Sequence, residues 1–195
     1  MTDWAFFEHK IHISNYRGIA ILSAIPKLFK KLITDFLYLS TKANISIFQH
    51  GFLKGRSTTT NLVTYSNYIL EKLEDGFQID SVYTDFSKAF DKVDHGLLIY
   101  KLKRLGIKGN LITWLESYLT DRTQLVRFNG FISRPIKVSS SVPQGPHLGP
   151  LLFILFINDL YQHCCAIACV CCMPMIWKCI LFCEIQTMQR YCKMT

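Results

Sequence analysis

The chain has 195 residues and a net charge of +8, and half of its residues are hydrophobic. This length allows one globular domain with a substantial core, or a fragment of a larger protein, and it excludes a multi-domain enzyme. The positive charge favours a polyanionic partner such as nucleic acid over an acidic one, although the basic residues are spread out as they also are on solvated helix faces.

The first fourteen residues predict an irregular segment without targeting features. They lack the basic region, apolar stretch and cleavage site of a secretory signal peptide. We therefore expect an intracellular protein, in cytoplasm or nucleus, without structural disulfides. Before Cys164 no apolar segment reaches the roughly 20 residues that span a bilayer, so no membrane partner is expected there.

The first half of the chain predicts two helices and one strand. Helical spacing over 20–40 predicts an amphipathic helix, whose apolar stripe comprises Ile25, Leu28, Phe29, Leu32, Ile33 and Phe36. A loop is predicted over 48–61, followed by a helix over 62–76 that ends at Gly76. The β-branched and aromatic segment 79–86 predicts a buried strand.

The second half predicts three helices and a hairpin. The helices are expected at 94–107, at 110–122 with Asn110 as the N-cap, and at 149–160. Between the last two, strands at 124–130 and 134–142 are expected to join through a tight turn at Asn129-Gly130. This order predicts an α+β domain with a small, mostly antiparallel sheet and no boundary within 15–160.

Three polar segments carry candidate functional residues. Asp85 ends the predicted strand, where a carboxylate is costly to bury without a partner such as a cation, although capping the next helix would also explain it. Lys54 and Arg56 lie among glycines and hydroxyl residues, a composition suited to binding phosphate. The Pro-Gln-Gly turn at 143–145 would let the backbone near Gly145 approach a ligand closely.

Several motifs in this order resemble the reverse transcriptases of non-LTR retrotransposons, of the jockey-like and LINE-like groups. The motifs are NYRGIAILSAIPKLFKKLI, HGFLKGRSTT, TDFSKAFDKVDH, LGIKGNLITWLESYLTDRTQLVRFNG and VPQGPHLGPLLFILFINDL. The resemblance covers 15–160 and implies a right-hand polymerase fold with the fingers and part of the palm. It also implies RNA template, DNA primer and deoxynucleotide triphosphates as partners and Mg²⁺ as cofactor, with nucleotides added to a primer 3′-hydroxyl by two-metal catalysis.

The resemblance assigns roles by position. The implied site residues are Asp85 for metal binding and catalysis, and Arg56, Lys54, Phe90, Gln144, Gly145 and Arg17 for nucleotide binding. Phe90 resembles the steric gate that excludes a ribose 2′-hydroxyl. Gln144 and Gly145 resemble the turn that packs against nucleotide and template. Arg56 and Lys54 resemble the fingers loop that contacts triphosphate or template backbone, and Arg17 matches the preceding motif.

The chain departs from the family pattern at four positions. The family usually has proline where Gly18 stands, glycine where Ser141 stands, and serine followed by a small apolar residue at Pro146 and His147. Pro146 fixes a backbone angle and removes an N–H donor beside the implied nucleotide contact. Such drift is typical of a decaying element copy.

The second half of the implied metal site is missing from the sequence. The family has a Tyr/Phe-Ala-Asp-Asp hairpin shortly after the helix that ends in INDL, and here residues 161–195 form a tail that holds all eight cysteines. Reading CMPMIWKC from the third base of each codon allows Tyr-Ala-Asp-Asp-Met-Glu-Met, in which Ala, the second Asp and Glu are forced. We therefore expect a frame slip just after Leu160 and a catalytically inactive chain.

Other interpretations of the chain remain open. A zinc site could use Cys169, Cys172, Cys179 and Cys183, although only the first pair has CxxC spacing. A membrane anchor could occupy 164–183, against which the proline and lysine in that segment argue. The chain could also be a non-enzymatic remnant that retains nucleic-acid binding.

Overall fold

The computed structural model describes most of the chain between residues 17 and 160 and two strands in the tail. The described residues are 2–5, 17–20, 23–84, 86, 88–128, 130–143, 145, 147–160, 170–173 and 178–184; for 2–5, 17–20, 80–84, 128, 170–173 and 178–184 only the backbone is considered. They belong to two compact units, unit 1 with Met1–Asn44 and Lys88–Phe156, and unit 2 with Ile45–Ser87 and Ile157–Thr195.

The order of helices and strands agrees with the predicted α+β class. In chain order the described elements are β1 Thr2–Ala5, β2 Arg17–Ala20, α1 Ala24–Thr41, α2 Thr58–Glu74, β3 Ile79–Thr84, α3 His95–Arg104, α4 Gly109–Leu119, β4 Arg122–Gln124, β5 Arg127–Phe128, β6 Phe131–Ile132, β7 Ile136–Val138, α5 Leu148–Ile157, β8 Val170–Met173 and β9 Lys178–Glu184. The described strand pairs are β1–β2, β4–β7 and β5–β6 in unit 1, and β3–β9–β8 in unit 2, all antiparallel. Strand β1 lies in the segment that was expected to be irregular.

Helix α1 forms as its periodicity predicts, but it buries a different face. Leu37 and Thr41 are fully buried, whereas Ile25 is 82% exposed and Leu32 and Phe36 are each 59% exposed. The helix therefore packs through the side that carries Leu37 and leaves most of its apolar stripe at the surface. Helical periodicity identified the stripe, but it did not identify which side faces the core.

Helix α2 begins earlier than its apolar periodicity suggests. Ser57 is the N-cap, its hydroxyl accepts from the Thr60 N–H at 3.1 Å, and the Thr60 hydroxyl accepts from the Ser57 N–H at 2.8 Å. This capping box satisfies two N–H groups at the helix start, which places 58–61 inside the helix rather than in the predicted loop. Gly76 follows the end of the helix with φ of 80°, as expected for a C-terminal glycine.

The starts of α3 and α4 differ in how they are capped. Asp94 caps α3, because its carboxylate accepts from the Leu97 N–H at 2.7 Å. Helix α4 starts at Gly109 with Lys108 as N-cap and no side-chain cap bond. The prediction that Asn110 is the N-cap was therefore wrong, because the helix starts before it.

The hairpin turns at the predicted dipeptide but is interrupted. Phe128 pairs with Phe131 across the two residues 129–130, and Gly130 has φ of 86°, which suits a tight turn. Farther from the turn, β4 pairs with β7, and the pairing runs from Arg122 opposite Val138 to Gln124 opposite Ile136. The two long strands of the prediction are thus two short pairs, and between them the Ser133 N–H donates to the Val126 carbonyl at 2.9 Å and the Val126 N–H donates to Ser133 Oγ at 3.0 Å.

The core of unit 1 is built around α5. This helix is apolar on every side, which is typical of a fully buried helix. Among the described residues of the unit, the largest fully buried side chains are Leu37, Val93, Leu98, Leu102, Leu115, Leu119, Val142, Leu152, Ile154 and Leu155. They come from α1, α3, α4, α5 and the segments that precede α3 and α5, so these elements are fixed relative to one another within the unit.

In unit 2, α2 lies against a three-stranded sheet. The strand order is β3–β9–β8, and α2 contacts both β8 and β3. Strands β8 and β9 come from the cysteine-rich tail, so part of this tail is extended. Among the described residues, no helix is long and apolar enough to cross a membrane.

Candidate functional site

The predicted catalytic aspartate follows the last residue of β3. Asp85 comes directly after Thr84, the last residue of β3, and lies outside the described residues. Thr84 pairs with Cys179 near the start of β9, and Met173 at the end of β8 pairs with Lys178. The ends of β8 and β9 that are joined by 174–177 therefore lie beside the end of β3 that leads to Asp85.

Acidic residues are scarce in the tail that supplies these strands. Glu184 is the only Asp or Glu after Leu160, and it pairs with Ile79 at the opposite end of β3. Six strand steps separate it from Lys178, a span of about 20 Å at roughly 3.3 Å per residue. The register therefore keeps the acid of the tail far from the end of β3 that leads to Asp85.

The same register bears on the zinc interpretation. Cys172 pairs with Cys179, but Cys183 lies four residues farther along β9, about 13 Å away at roughly 3.3 Å per residue. Zinc–sulfur bonds are about 2.3 Å long, so Cys179 and Cys183 cannot share one ion in this strand. Cys169 lies outside the described residues, among which no group of three or more potential metal ligands occurs.

Arg56, predicted to contact phosphate, holds the protein's own backbone. Its Nη1 donates to the carbonyl oxygens of Ser46 at 3.2 Å, Ile47 at 2.7 Å and Gln49 at 2.5 Å. These bonds close the loop between α1 and α2 around the guanidinium. Lys54 stands in the same loop and is exposed, so this part of unit 2 presents one structural and one accessible basic residue.

Two buried polar side chains in this loop have unsatisfied atoms. Gln49 is 2% exposed, and neither its amide nitrogen nor its amide oxygen has a hydrogen-bond partner in the described part of the chain. His50 contacts the Thr60 hydroxyl through Nδ1 at 3.0 Å, and its buried Nε2 is also unpartnered there. Burial, and secondarily the charge of Arg56, lower the pKa of His50. Protonation of the His50 ring at Nε2 would add a buried N–H that has no acceptor among the described residues.

Phe90 lies in the core of unit 1. Its ring is 4.7 Å from the ring of Phe153 on α5, measured between centroids. Its carbonyl oxygen accepts from the Val142 N–H at 2.9 Å, and the carbonyl oxygen of the next residue, Asp91, accepts from Ser140 Oγ at 2.8 Å. The short segment that carries Phe90 is thus tied directly to the segment that leads into the predicted Gln144-Gly145 turn.

Ser141 is the centre of this attachment. Its N–H donates to the Val93 carbonyl at 3.0 Å, and its own carbonyl accepts from His95 Nε2 at 2.8 Å and from Arg122 Nη2 at 3.3 Å. Because a carbonyl oxygen only accepts, His95 carries a proton on Nε2. Sequence reasoning missed His95 and Arg122; the signal for His95 was its spacing with Leu98 and Leu102 on the buried face of α3.

The aromatic rings of Trp114 and Tyr118 lie beside Arg122, which donates to the Ser141 carbonyl. Tyr118 stacks on Trp114 at 5.2 Å, and its ring faces Lys30 Nζ at 4.6 Å and the Arg122 guanidinium at 5.8 Å. Burial raises the pKa of Tyr118 to about 12, although the charge of Arg122 opposes the shift. Burial, and secondarily Arg122, lower the pKa of Lys30. The tyrosine is therefore neutral and serves both cations as a π surface.

The glycines of the predicted turn region have different environments. A Cβ at Gly145 would meet no heavy atom of the described residues within 4 Å, so their packing does not require glycine there. A Cβ at Gly149 would lie 2.1 Å from the Pro143 carbonyl oxygen. The close backbone approach within the chain thus occurs at Gly149, where the start of α5 meets the segment preceding the turn.

The predicted site residues are divided between the two units. Arg17 in β2, Phe90 and Gly145 belong to unit 1, while Lys54 and Arg56 belong to unit 2. Gln144 and Asp85 lie outside the described residues, and the side chain of Arg17 is not described. Within unit 1, hydrogen bonds connect the Phe90 segment with 140–142.

The architecture agrees with the right-hand polymerase fold that the sequence motifs imply, because the chain is α+β and an antiparallel hairpin pairs with the strand that precedes Asp85. A solved structure, a partial Cas6-RT-Cas1–Cas2 complex, matches this fold with a TM-score of 0.50 and 20% identity over 95% of this chain and 29% of that one. At that identity the likeness establishes the fold.

Sequence comparison establishes the family. The profile described as "Reverse transcriptase (RNA-dependent DNA polymerase)" matches residues 8–181, and the chain belongs to this family. It is 36% identical over 148 residues to the probable RNA-directed DNA polymerase from transposon BS of Drosophila melanogaster, and 34% identical over 154 residues to that from mobile element jockey of the same organism. It is also 30% identical over 148 residues to a Pol polyprotein from the type-1 retrotransposable element R2 of Popillia japonica.

The chain corresponds to a small part of these relatives. The matches cover 75%, 77% and 75% of this chain but only 16%, 17% and 20% of the relatives, in the same order. The predicted resemblance to reverse transcriptases of the jockey and LINE type is confirmed. The activity of a whole polymerase belongs to proteins several times longer.

Proposed function

We propose that this chain is a remnant of a retrotransposon RNA-directed DNA polymerase that has lost its catalytic metal site. In the intact polymerases, template RNA, DNA primer and deoxynucleotide triphosphates are the substrates. Divalent metal ions, when bound, activate the primer hydroxyl and stabilise the leaving pyrophosphate. In this chain we assign metal binding and catalysis to Asp85, and the segment that would supply the second carboxylate has the sequence Pro-Met-Ile-Trp.

The register of β9 against β3 is the observation that carries the proposal. The strand ends beside the end of β3 are joined by Pro-Met-Ile-Trp, whereas Glu184 pairs at the other end. A frame slip accounts for this combination, because the shifted reading of codons 172–176 can encode Tyr-Ala-Asp-Asp in the same segment.

The remaining proposed roles concern nucleotide binding. Phe90 and the turn at Gln144 and Gly145 would contact the incoming nucleotide, Lys54 would contact triphosphate or template, and Arg17 would assist. Arg56 has its Nη1 occupied by backbone carbonyls, so its remaining N–H groups would make the phosphate contact. Residual nucleic-acid binding through the net charge of +8 is the second function considered.

The proposal predicts that the purified chain does not extend a DNA primer on an RNA template with Mg²⁺. The expected result is no product above background, because one carboxylate does not hold two metal ions. Extension is measured by gel electrophoresis, with an active reverse transcriptase as the positive control. Product formation that Asp85→Ala abolishes would show that the chain is an active polymerase.

The coding DNA gives an independent test of the frame slip. The shifted reading gives Tyr-Ala-Asp-Asp only if the codon of Cys172 is TGT and that of Pro174 is CCG. Any other codon at either position contradicts the simple slip, whether or not the chain is inactive.

A further inference from the structure

His95 and Arg122 join two segments that the proposed function uses separately. The first segment, 89–94, carries Phe90, and the second, 139–142, leads into the Gln144-Gly145 turn. His95 follows the first segment directly as the first residue of α3, and Arg122 is the first residue of β4. Both side chains donate to one acceptor, the carbonyl oxygen of Ser141.

His95 is well placed to fix this connection. It is 7% exposed, so its bond to the Ser141 carbonyl, 2.8 Å long, is shielded from water. Losing the imidazole would remove one of two donors from a partly buried carbonyl oxygen, which is costly when water does not replace it. Arg122 is held in turn by its Nε, which donates to the Leu119 carbonyl at the end of α4.

Backbone bonds carry the connection from Ser141 to Phe90. The N–H groups of Ser141 and Val142 donate to the carbonyl oxygens of Val93 and Phe90. Val142 is 1% exposed, and its register against Phe90 sets the separation of the two segments. A change at the Ser141 carbonyl therefore acts on the position of Phe90 relative to the residues that follow Val142.

We propose that His95 is a positioning residue for nucleotide selection: through the Ser141 carbonyl, and together with Arg122, it holds the Phe90 segment at a fixed separation from 139–142, the segment that leads into the Gln144-Gly145 turn. The inference rests on the proposed function, in which these two segments contact the sugar and the base pair of a bound nucleotide. It assigns His95 no contact with the nucleotide itself. Its effect is on discrimination at the ribose 2′-position.

The test compares three variants of the full chain. His95→Leu removes the donor, whereas His95→Gln keeps an amide N–H at a similar reach. Ile99→Val, at a buried position one turn further along α3, loses packing without touching the Ser141 carbonyl. Two quantities are measured: hydrogen exchange at the Ser141 and Val142 amides, and the affinities for dATP and ATP with Mg²⁺ by calorimetry.

We expect His95→Leu to speed exchange of both amides by about tenfold and to lower the ratio of dATP to ATP affinity by a similar factor, as loss of one ordinary hydrogen bond would. His95→Gln should restore most of both effects, and Ile99→Val should change neither the local exchange nor the ratio. Unchanged exchange and ratio in His95→Leu, or equal changes in Ile99→Val, would overturn the inference.

Failure of the proposed function gives a different pattern. If the wild-type chain binds neither dATP nor ATP, its nucleotide-binding role is wrong, and the role of His95 in selection falls with it. Exchange at Ser141 and Val142 then still shows whether His95 holds the two segments together. If the wild type binds dATP more tightly than ATP and His95→Leu does too, only the inference about His95 fails.

Discussion

Ser141 adopts a backbone conformation that suits glycine better than serine. Its φ is 105°, in the region that side chains with a Cβ disfavour, and the hydrogen bonds from His95 and Arg122 and to Val93 keep it there. The related polymerases are expected to have glycine at this position. The departure noted in the sequence therefore has a physical cost in this chain.

We predict that Ser141→Gly stabilises the protein by about 1 kcal/mol, because relief of the strained φ exceeds the added entropy of the unfolded chain. Ser139→Gly is the matched control, since Ser139 has no positive φ. It should destabilise by about 0.5 kcal/mol. Urea unfolding of the two variants measures both changes, and a loss of stability in Ser141→Gly would show that φ at this position is not a source of strain.

His50 makes stability depend on pH. Its pKa in the folded state lies below the ordinary value of 6.5, so the unfolded chain binds the proton first as the pH falls. We therefore predict that stability contributed by neutral His50 is fully present above about pH 6.5 and is lost progressively below it. The midpoint of urea unfolding, compared at pH 7.5 and 5.5, should fall more in the wild type than in His50→Gln. Equal slopes would exclude this role.

At the scale of single elements, α1 has two unlike sides. Its Leu37 is fully buried and Leu39, two residues later, is 62% exposed. The buried side packs in unit 1. From the apolar stripe, the ring of Phe29 forms a T-shaped contact with the ring of Trp114, with the two centroids 5.4 Å apart. The exposed side leaves Ile25, Leu32 and Phe36 in contact with water. The free energy gained by packing the other side must exceed the cost of exposing these side chains.

These two leucines give a matched pair of substitutions. Leu37→Ala should destabilise by about 2–5 kcal/mol because it leaves a cavity, and Leu39→Ala by less than about 0.5 kcal/mol. Chemical unfolding of both variants measures the difference. If Leu39→Ala costs as much as Leu37→Ala, the side of α1 that carries Leu39 is packed rather than exposed to water.

At the scale of the whole molecule, the basic charge is diffuse. Exposed lysines occur on α1 at Lys27 and Lys31 and on α3 at Lys103. A polyanion that contacts such a surface releases counterions in proportion to the phosphates neutralised. Any nucleic-acid binding that the chain retains should therefore be electrostatic and shared among many residues.

We predict that binding of a single-stranded RNA weakens by about tenfold or more between 50 and 200 mM salt, as two or three phosphate contacts imply. Lys27→Gln and Lys103→Gln should each change the affinity by less than about threefold. Fluorescence anisotropy measures both effects. Binding that is insensitive to salt, or that one substitution abolishes, would indicate a localised site instead.

Much of the local structure follows from the sequence because short-range chemistry decides it. The periodicities of α1 and α3, the apolar run of α5, the glycine after α2 and the tight turn at 129–130 concern groups within a few residues of one another. The start of α2 was less predictable, because the capping box of Ser57 begins the helix several residues before its apolar pattern begins. Order and spacing of several motifs identified the family, although each motif alone has simpler explanations.

Tertiary structure decided what depends on residues distant in sequence. Only the fold shows that α1 buries Leu37 rather than its apolar stripe, that Gly149 meets the Pro143 carbonyl, and that His95 reaches Ser141 from 46 positions away. The register of β9 on β3 likewise joins the tail to the strand before Asp85. Composition and periodicity record what each segment can form, whereas packing selects which faces and which distant atoms meet.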